Sequence, residues 1–378
     1  MSRRSFLRTG RTLLLASAVP WLSGCSIGST GALSQIQQQT PHPSTAPDIE
    51  VALKATASQV SLLAGAPTRV WSYQGKVIQG SPSVMHHIPG SYLGPILRFQ
   101  KGQTVRIHFT NDIPDESIIH WHGLHVPAAM DGHPQSVIKQ GETFVYEFKI
   151  LNRAGTYWFH PHPHGRTGPQ VYNGLAGLFL VSDEEEAAVG LPTDAYDIPL
   201  VIQDRTFDDS NQFVYLPNGM MDQMHGFLGE RILVNGQPDF ILPVDATAYR
   251  IRLLNGSNSR IYRLAWNDGT PITVIGTDGG LLEKPIQRDS VVLAPAERID
   301  VWRDFSTQPV GSEVQIRSLP FNGVETMDMM GGRGVMSGHG MMDERGMMQS
   351  IMHVHKAQRF LSALFVLTVR GRGRSNVA

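Results

Sequence analysis

Two short histidine pairs stand out as groups able to do chemistry: His120-Trp121-His122-Gly123, and His160-Pro161-His162 within Trp158-Phe159-His160-Pro161-His162-Pro163-His164-Gly165. On a β-strand, side chains two residues apart share a face. Each His-x-His therefore presents two imidazoles together. Two such strands side by side would aim four imidazoles at one spot. Histidine is scarce, at 15 of 378 residues, so two such pairs are better explained by a metal site than by unrelated solvated clusters. Neutral imidazole suits copper, zinc, iron and nickel.

Strands and turns must position these groups. Charged residues make up 17% of the chain, and it holds 38 Gly and 24 Pro. Long amphipathic helices are hard to find, and this balance predicts an all-β protein of more than one domain. A formal net charge of −1 argues against a nucleic-acid partner. Strands are expected at Leu97-Arg98-Phe99, 104–110, 143–148 and 177–181, the second alternating Val105, Ile107 and Phe109 with Arg106 and His108. Lys101-Gly102 looks like a turn, and the acidic run Ser182 to Glu186 looks solvated. Further strands are expected at 198–204, 231–236 and 249–256. The last two end in Asn235-Gly236 and Asn255-Gly256, both strong hairpin signals. His225 stands apart among Met220, Met221 and Met224, with no spacing that marks it as a ligand.

Residues 1–25 belong outside the fold. Ser2-Arg3-Arg4-Ser5-Phe6-Leu7-Arg8 matches a twin-arginine export signal, an apolar stretch follows from Leu13 to Val19, and Leu22-Ser23-Gly24-Cys25 resembles a lipobox. Cys25, the one cysteine of the 378 residues, is thus expected to carry lipid. The protein would be exported folded to the periplasm or cell envelope and held at the membrane by its anchor alone. Residues 26–50 read as a flexible tether, 51–190 as a first domain, 191–320 as a second, and 321–378 as a Met-rich segment followed by an aberrant tail. Nine of the 15 methionines lie in that last stretch: Met327, Met329, Met330, Met336, Met341, Met342, Met347, Met348 and Met352. They sit among Gly, Asp, Arg and Ser rather than apolar companions, so core packing explains them poorly. Thioether sulfur selects Cu(I). The segment is read as a Cu(I) collector, with a linker as the plainer alternative.

Taken together, these motifs resemble the bacterial multicopper oxidases, in particular periplasmic cuprous oxidases and laccase-like enzymes. The two histidine motifs look like the family's first and second copper motifs, the second continuing through Gln170, Gly174, Gly177 and Leu178. Leu254-Asn255-Gly256-Ser257-Asn258 and Leu293-Ala294-Pro295-Ala296-Glu297-Arg298 look like its second domain. The resemblance implies tandem cupredoxin domains, each a Greek-key β-sandwich. It also implies copper as cofactor, and oxidation of Cu(I) or a phenolic reductant coupled to reduction of O₂ to water. By motif position, His120 would bind the type 2 copper of a trinuclear cluster and His122, His160 and His162 its type 3 pair. His164 would lie just beyond the ligands, and Asp131 stands where relatives carry a proton-delivering acid, with a plain turn residue of Asp131-Gly132 as the alternative. The family's cluster takes eight histidines, four of them from a third domain that also supplies a Cys-ligated copper. That set is missing from residues 1–378, and the apolar run Leu361 to Val369 with its arginines is read as a shifted reading frame, with the first strand of an unfinished domain as the alternative. The expectation is therefore an oxidase truncated before its third domain, or completed by a separately encoded one, and inactive alone. A copper-binding, copper-tolerance lipoprotein without turnover is the alternative. A copper-free scaffold of the cell-division type is a third reading, disfavoured by the retained histidines.

Overall fold

The computed structural model describes residues 46–320 and 363–371. The signal, Cys25, the tether up to residue 45 and the nine clustered methionines lie outside the described residues. Two β-sandwiches follow one another along the chain.

The first contains β1 (Ile49–Val60), β2 (Thr68–Gln79), β3 (Met85–His86), β4 (Ile96–Gln100), β5 (Thr104–Asp112), β6 (Ile119–His122), β7 (Thr143–Lys149), β8 (Gly155–Pro161) and β9 (Gly177–Ser182). Its two sheets run in the orders β2-β1-β5-β7 and β3-β4-β9-β8-β6. The turn at Lys101-Gly102 carries the chain from one sheet to the other rather than pairing β4 with β5. Alternation explains the core: Val105, Ile107 and Phe109 of β5 are fully buried and meet Trp121 and Phe159 from the facing sheet in one cluster. β5 thus turns one face inward and the other outward.

The second sandwich contains β10 (Asp197–Phe207), β11 (Phe213–Val214), β12 (Arg231–Val234), β13 (Gln237–Pro238), β14 (Ile241–Asp245), β15 (Ala248–Asn255), β16 (Tyr262–Trp266), β17 (Ile272–Thr277), β18 (Gly280–Arg288), β19 (Val291–Leu293), β20 (Arg298–Asp304), β21 (Glu313–Ser318) and β22 (Phe365–Arg370). It repeats the plan of the first. In both, one sheet holds a parallel pair (β1 with β5, β10 with β15), and so does the other (β4 with β9, β14 with β22). Three short helices, α1 (Thr167–Tyr172), α2 (Glu184–Val189) and α3 (Met220–His225), fill connections.

The repeat corrects the expected boundary at residue 320 and the reading of the tail as aberrant. β22 lies between β14 and β21, the place that β9 holds in the first sandwich. Leu364, Phe365, Leu367 and Val369 are buried in the second core. The alternation of Phe365, Leu367 and Val369 with Val366 and Thr368 is what a strand buried on one face requires. The Met-rich stretch is thus an insertion between β21 and β22, not a terminal extension.

Two other expectations change. Asn235 (φ 51°) and Gly236 (φ 75°) form the expected tight hairpin between β12 and β13, but Asn255-Gly256 does not. Asn255 is buried, and its amide donates to the carbonyls of Arg260 and Leu293, organising a loop instead. The acidic run is also only partly solvated. Asp183 caps α2, accepting from the Glu186 amide at 2.8 Å. Glu186 reaches inward to Arg250 and Arg252. These arginines also pair with Asp300 and Asp197, and Thr156 of β8 donates to Asp300 at 2.7 Å. This buried network fastens the second sandwich to the histidine-bearing strand of the first. A buried charge is tolerated only when paired and hydrogen-bonded, and here each is. Among the described residues no helix is long and apolar enough to cross a membrane.

Candidate metal centre

The site is built by the register of two neighbouring strands. β6 and β8 run antiparallel, with His120 opposite His160 and His122 opposite Trp158. Because His120 and His122 are two apart, and His160 and His162 likewise, all four rings lie on one face. Trp121 and Phe159, between them in sequence, point into the core. The ring centres of His120 lie 5.7, 5.3 and 5.2 Å from those of His122, His160 and His162. One ring nitrogen from each of His120, His122 and His160 lies within 4.8 Å of the others. The Nδ1 of His122 and the Nε2 of His160 are 3.3 Å apart, close enough to share one ion at a metal–nitrogen distance of about 2 Å.

The surroundings fix which nitrogens are free. Nδ1 of His120 faces the backbone carbonyl of Asp131 at 2.8 Å, and Nδ1 of His160 faces that of Pro161 at 2.9 Å. Donating there leaves each Nε2 bare for a metal, the usual outer-shell arrangement of a ligating histidine. Nδ1 of His162 is buried without a hydrogen-bond partner, and its backbone N–H donates to Ile118 at 2.9 Å. The Trp158 indole lies against His160 and His122, ring centres 4.3 and 5.2 Å away.

Burial favours the neutral form of three of the rings. It pushes the pKa of His160 down to about 3, against the opposing pull of the Pro161 carbonyl. Burial, helped by the Arg298 guanidinium and by His120, lowers His122 to about 4. His162 is lowered too, by burial first and then by His120. A cluster of neutral imidazole nitrogens, one of them orphaned, is the donor set that copper takes. These residues fit the metal. Protons and copper compete for the same ring nitrogens, so with His160 and His122 lowered to about 3 and 4 their competition should leave copper affinity little changed from neutral pH to about 5 and weaken it only as the pH approaches 4 and below. Copper affinity measured by competition titration across that range checks this, and an affinity that already falls steadily below about pH 6.5 would show these rings titrating as in water.

Asp131 has a definite place as well. Its Oδ1 lies 3.2 Å from Nδ1 of His120, and its Oδ2 lies 3.8 Å from Nε2 of the more exposed His133. His164, two residues beyond His162, is exposed. Sequence reading overlooked Gly132, whose Cα packs so closely on β6 that a Cβ would sit 1.8 Å from the Ile119 carbonyl oxygen. It also overlooked Tyr146, whose hydroxyl accepts from Ile119 N–H and donates to its carbonyl, pinning β6 beside His120. The Asp131-Gly132 pair was a turn signal that could have led to the first. A cavity of about 860 Å³ bordered by Arg98, Glu186, Asp197, Arg250 and Arg252 contains none of the four histidines.

Residues 70–186, which contain both histidine strands, match the multicopper oxidase family model. Those residues form a multicopper oxidase domain. The chain is 34% identical to a laccase of Bacillus stratosphericus over 278 residues, 64% of this chain and 52% of the relative. It is 33% identical to the cell division protein FtsP of Escherichia coli K12 over 318 residues, 84% of this chain and 62% of that protein. Among solved structures it is similar to the McoA multicopper oxidase of the hyperthermophile Aquifex aeolicus. The TM-score there is 0.67 at 34% identity, covering 87% of this chain and 63% of that one. A Campylobacter jejuni multicopper oxidase, described as a metallo-oxidase, gives a TM-score of 0.64 at 26% identity, with coverage of 86% and 58%. The chain thus spans between about half and two-thirds of the length of these relatives. The fold is the cupredoxin-like fold of the family, and copper is the family's cofactor.

Proposed function

We propose that the four histidines form part of the oxygen-reducing copper site of an oxidase. The enzyme would take single electrons from Cu(I) or a phenol and reduce O₂ to water. The observation that carries this is the convergence of His120, His122, His160 and His162 on one face of β6 and β8. Copper bound there supplies one-electron redox chemistry. The chain's own residues prepare for it: the Asp131 and Pro161 carbonyls orient two imidazoles, burial keeps His122, His160 and His162 neutral, and Trp158 packs beside them. The Asp131 carboxylate, between His120 and the more exposed His133, is the group we assign to carry protons from solvent toward the reacting oxygen.

Four imidazoles serve three coppers poorly. The remaining ligands, and the Cys-ligated copper that receives electrons, are proposed to come from a third cupredoxin domain. Export by the twin-arginine route and a lipid anchor at Cys25 would place the enzyme in the periplasm or cell envelope. The Met-rich insertion tilts the reductant toward Cu(I).

The test is the intact mass of the mature protein from its source cells, taken with its copper content and O₂ uptake on Cu(I) or a phenol. A mass larger by about one domain, or co-purification with such a chain, together with O₂ uptake, is the expected result. A mass matching residues 25–378 plus lipid, with copper bound but no O₂ uptake, would replace the oxidase by a copper-binding lipoprotein. No bound copper would favour the role suggested by the name of the FtsP relatives.

A further inference from the structure

We infer that α3 is a second capture site for a soft monovalent cation, Cu(I) or Ag(I), built from Met220, Met221, Met224 and His225. It shares no residue with the histidine cluster or the Met-rich insertion. This inference does not rest on the oxidase reading, because it concerns binding alone.

The helix has the sequence Met220-Met221-Asp222-Gln223-Met224-His225, with three thioethers and an imidazole in six residues. At about 100° per residue, Met220, Met224, Met221 and His225 fall in that order within an arc of about 140°. Met220 and Met224 are neighbours four apart, as are Met221 and His225, and Met221 and Met224 are three apart. Gln223 falls outside the arc. So does Asp222, whose carboxylate is engaged by Asn218, accepting from its backbone N–H at 2.9 Å and its side-chain amide at 3.1 Å. The hard donor is thus held away and the soft ones are left together.

Exposure sets these residues apart from core filler. Met220 is 74% and Met224 71% exposed, and His225 is exposed as well. Methionine is ordinarily among the most buried residue types. Two that stand in water beside a third and a histidine gain nothing from packing. Their thioethers do offer what a soft cation prefers.

The flanks hold this helix in place. Before it, Tyr215 stacks on Tyr172 of α1 with ring centres 4.4 Å apart. After it, the buried Phe227 packs edge-on against both tyrosines, at 5.7 and 5.6 Å. Asn258 bridges the Gly168 carbonyl at 2.9 Å and the Tyr215 hydroxyl at 3.3 Å. Because α1 begins just beyond His164-Gly165, the exposed sulfurs are anchored to the segment that follows the histidine motif.

The test is an Ag(I) titration of the full chain with methionine methyl groups labelled for NMR, each resonance assigned by a Met→Leu variant. Ag(I) is the probe because it binds like Cu(I) and does not oxidise. The methyl signals of Met220, Met221 and Met224 are expected to shift together and saturate at one equivalent for this site. Met224→Leu, at an exposed position that leaves the fold intact, should weaken the response of Met220 and Met221 by about tenfold or more. His225→Ala should weaken it as well. Methyl signals that stay fixed in excess Ag(I), or that shift independently of Met224, would overturn the shared site.

Discussion

Replacing Gly132 by Ala is expected to damage the metal centre from outside it. The added Cβ would lie 1.8 Å from the Ile119 carbonyl oxygen and 2.9 Å from the His120 backbone nitrogen. Both are backbone atoms of β6, and no rotamer can relieve the contact. Gly132 also has φ +72°, which costs a residue with a side chain about 1–3 kcal/mol. With the clash added, a loss of about 3 kcal/mol or more is expected. The turn must move, and the Asp131 carbonyl then leaves Nδ1 of His120. Copper affinity should fall by about tenfold or more even where the protein stays folded, the usual effect of losing an outer-shell partner. Thermal unfolding and a copper competition titration check the two parts. Gly141→Ala is the control. It shares a positive φ, +87°, but a Cβ there meets nothing within 4 Å, so it should cost only the backbone strain and leave copper affinity unchanged.

The second large effect is expected at the ligands. His160 is the most buried of the four, 7% exposed, and its ring lies within 6.1 Å, centre to centre, of each of the other three. His160→Ala removes a nitrogen that no neighbour replaces. It should lower copper affinity by about 100-fold or more, beyond what outer-shell changes cost. His164→Ala should change it by less than about tenfold, since that residue is exposed. Copper stoichiometry after dialysis against a chelator of known affinity separates the two. Equal losses would mean that His164 is itself a ligand.

Much of this was legible in the residues because the governing patterns are local. The His-x-His spacing fixes side-chain direction on a strand, and the strands at 104–110, 143–148 and 177–181 announced themselves by alternation or by apolar runs. Asn235-Gly236 turned as its dipeptide prefers. What was not legible depends on contacts distant in sequence. Asn255-Gly256 carries the same dipeptide but is recruited by the carbonyls of Arg260 and Leu293, which no local window contains. Glu186 reads as part of a solvated acidic run until Arg250 and Arg252, some 65 positions away, draw it inward. The strand at Phe365–Arg370 could be read at most as the start of another domain, because the Met-rich insertion separates it from its antiparallel partner β21. Its alternation was present but too short to weigh against the composition around it. The role of Gly132 was hidden for another reason. A turn signal tells that the chain bends, and not that the bend packs on the strand bearing His120.

The claim on which the rest depends is that the imidazoles of β6 and β8 bind copper as one centre. Electron paramagnetic resonance of the full chain loaded with less than one equivalent of Cu(II) tests it most directly, comparing the native protein with His120→Ala/His160→Ala. Hyperfine coupling to at least three imidazole nitrogens is predicted for the native chain and should disappear in the double variant. A copper signal unchanged by the double substitution would place the metal elsewhere and contradict the account.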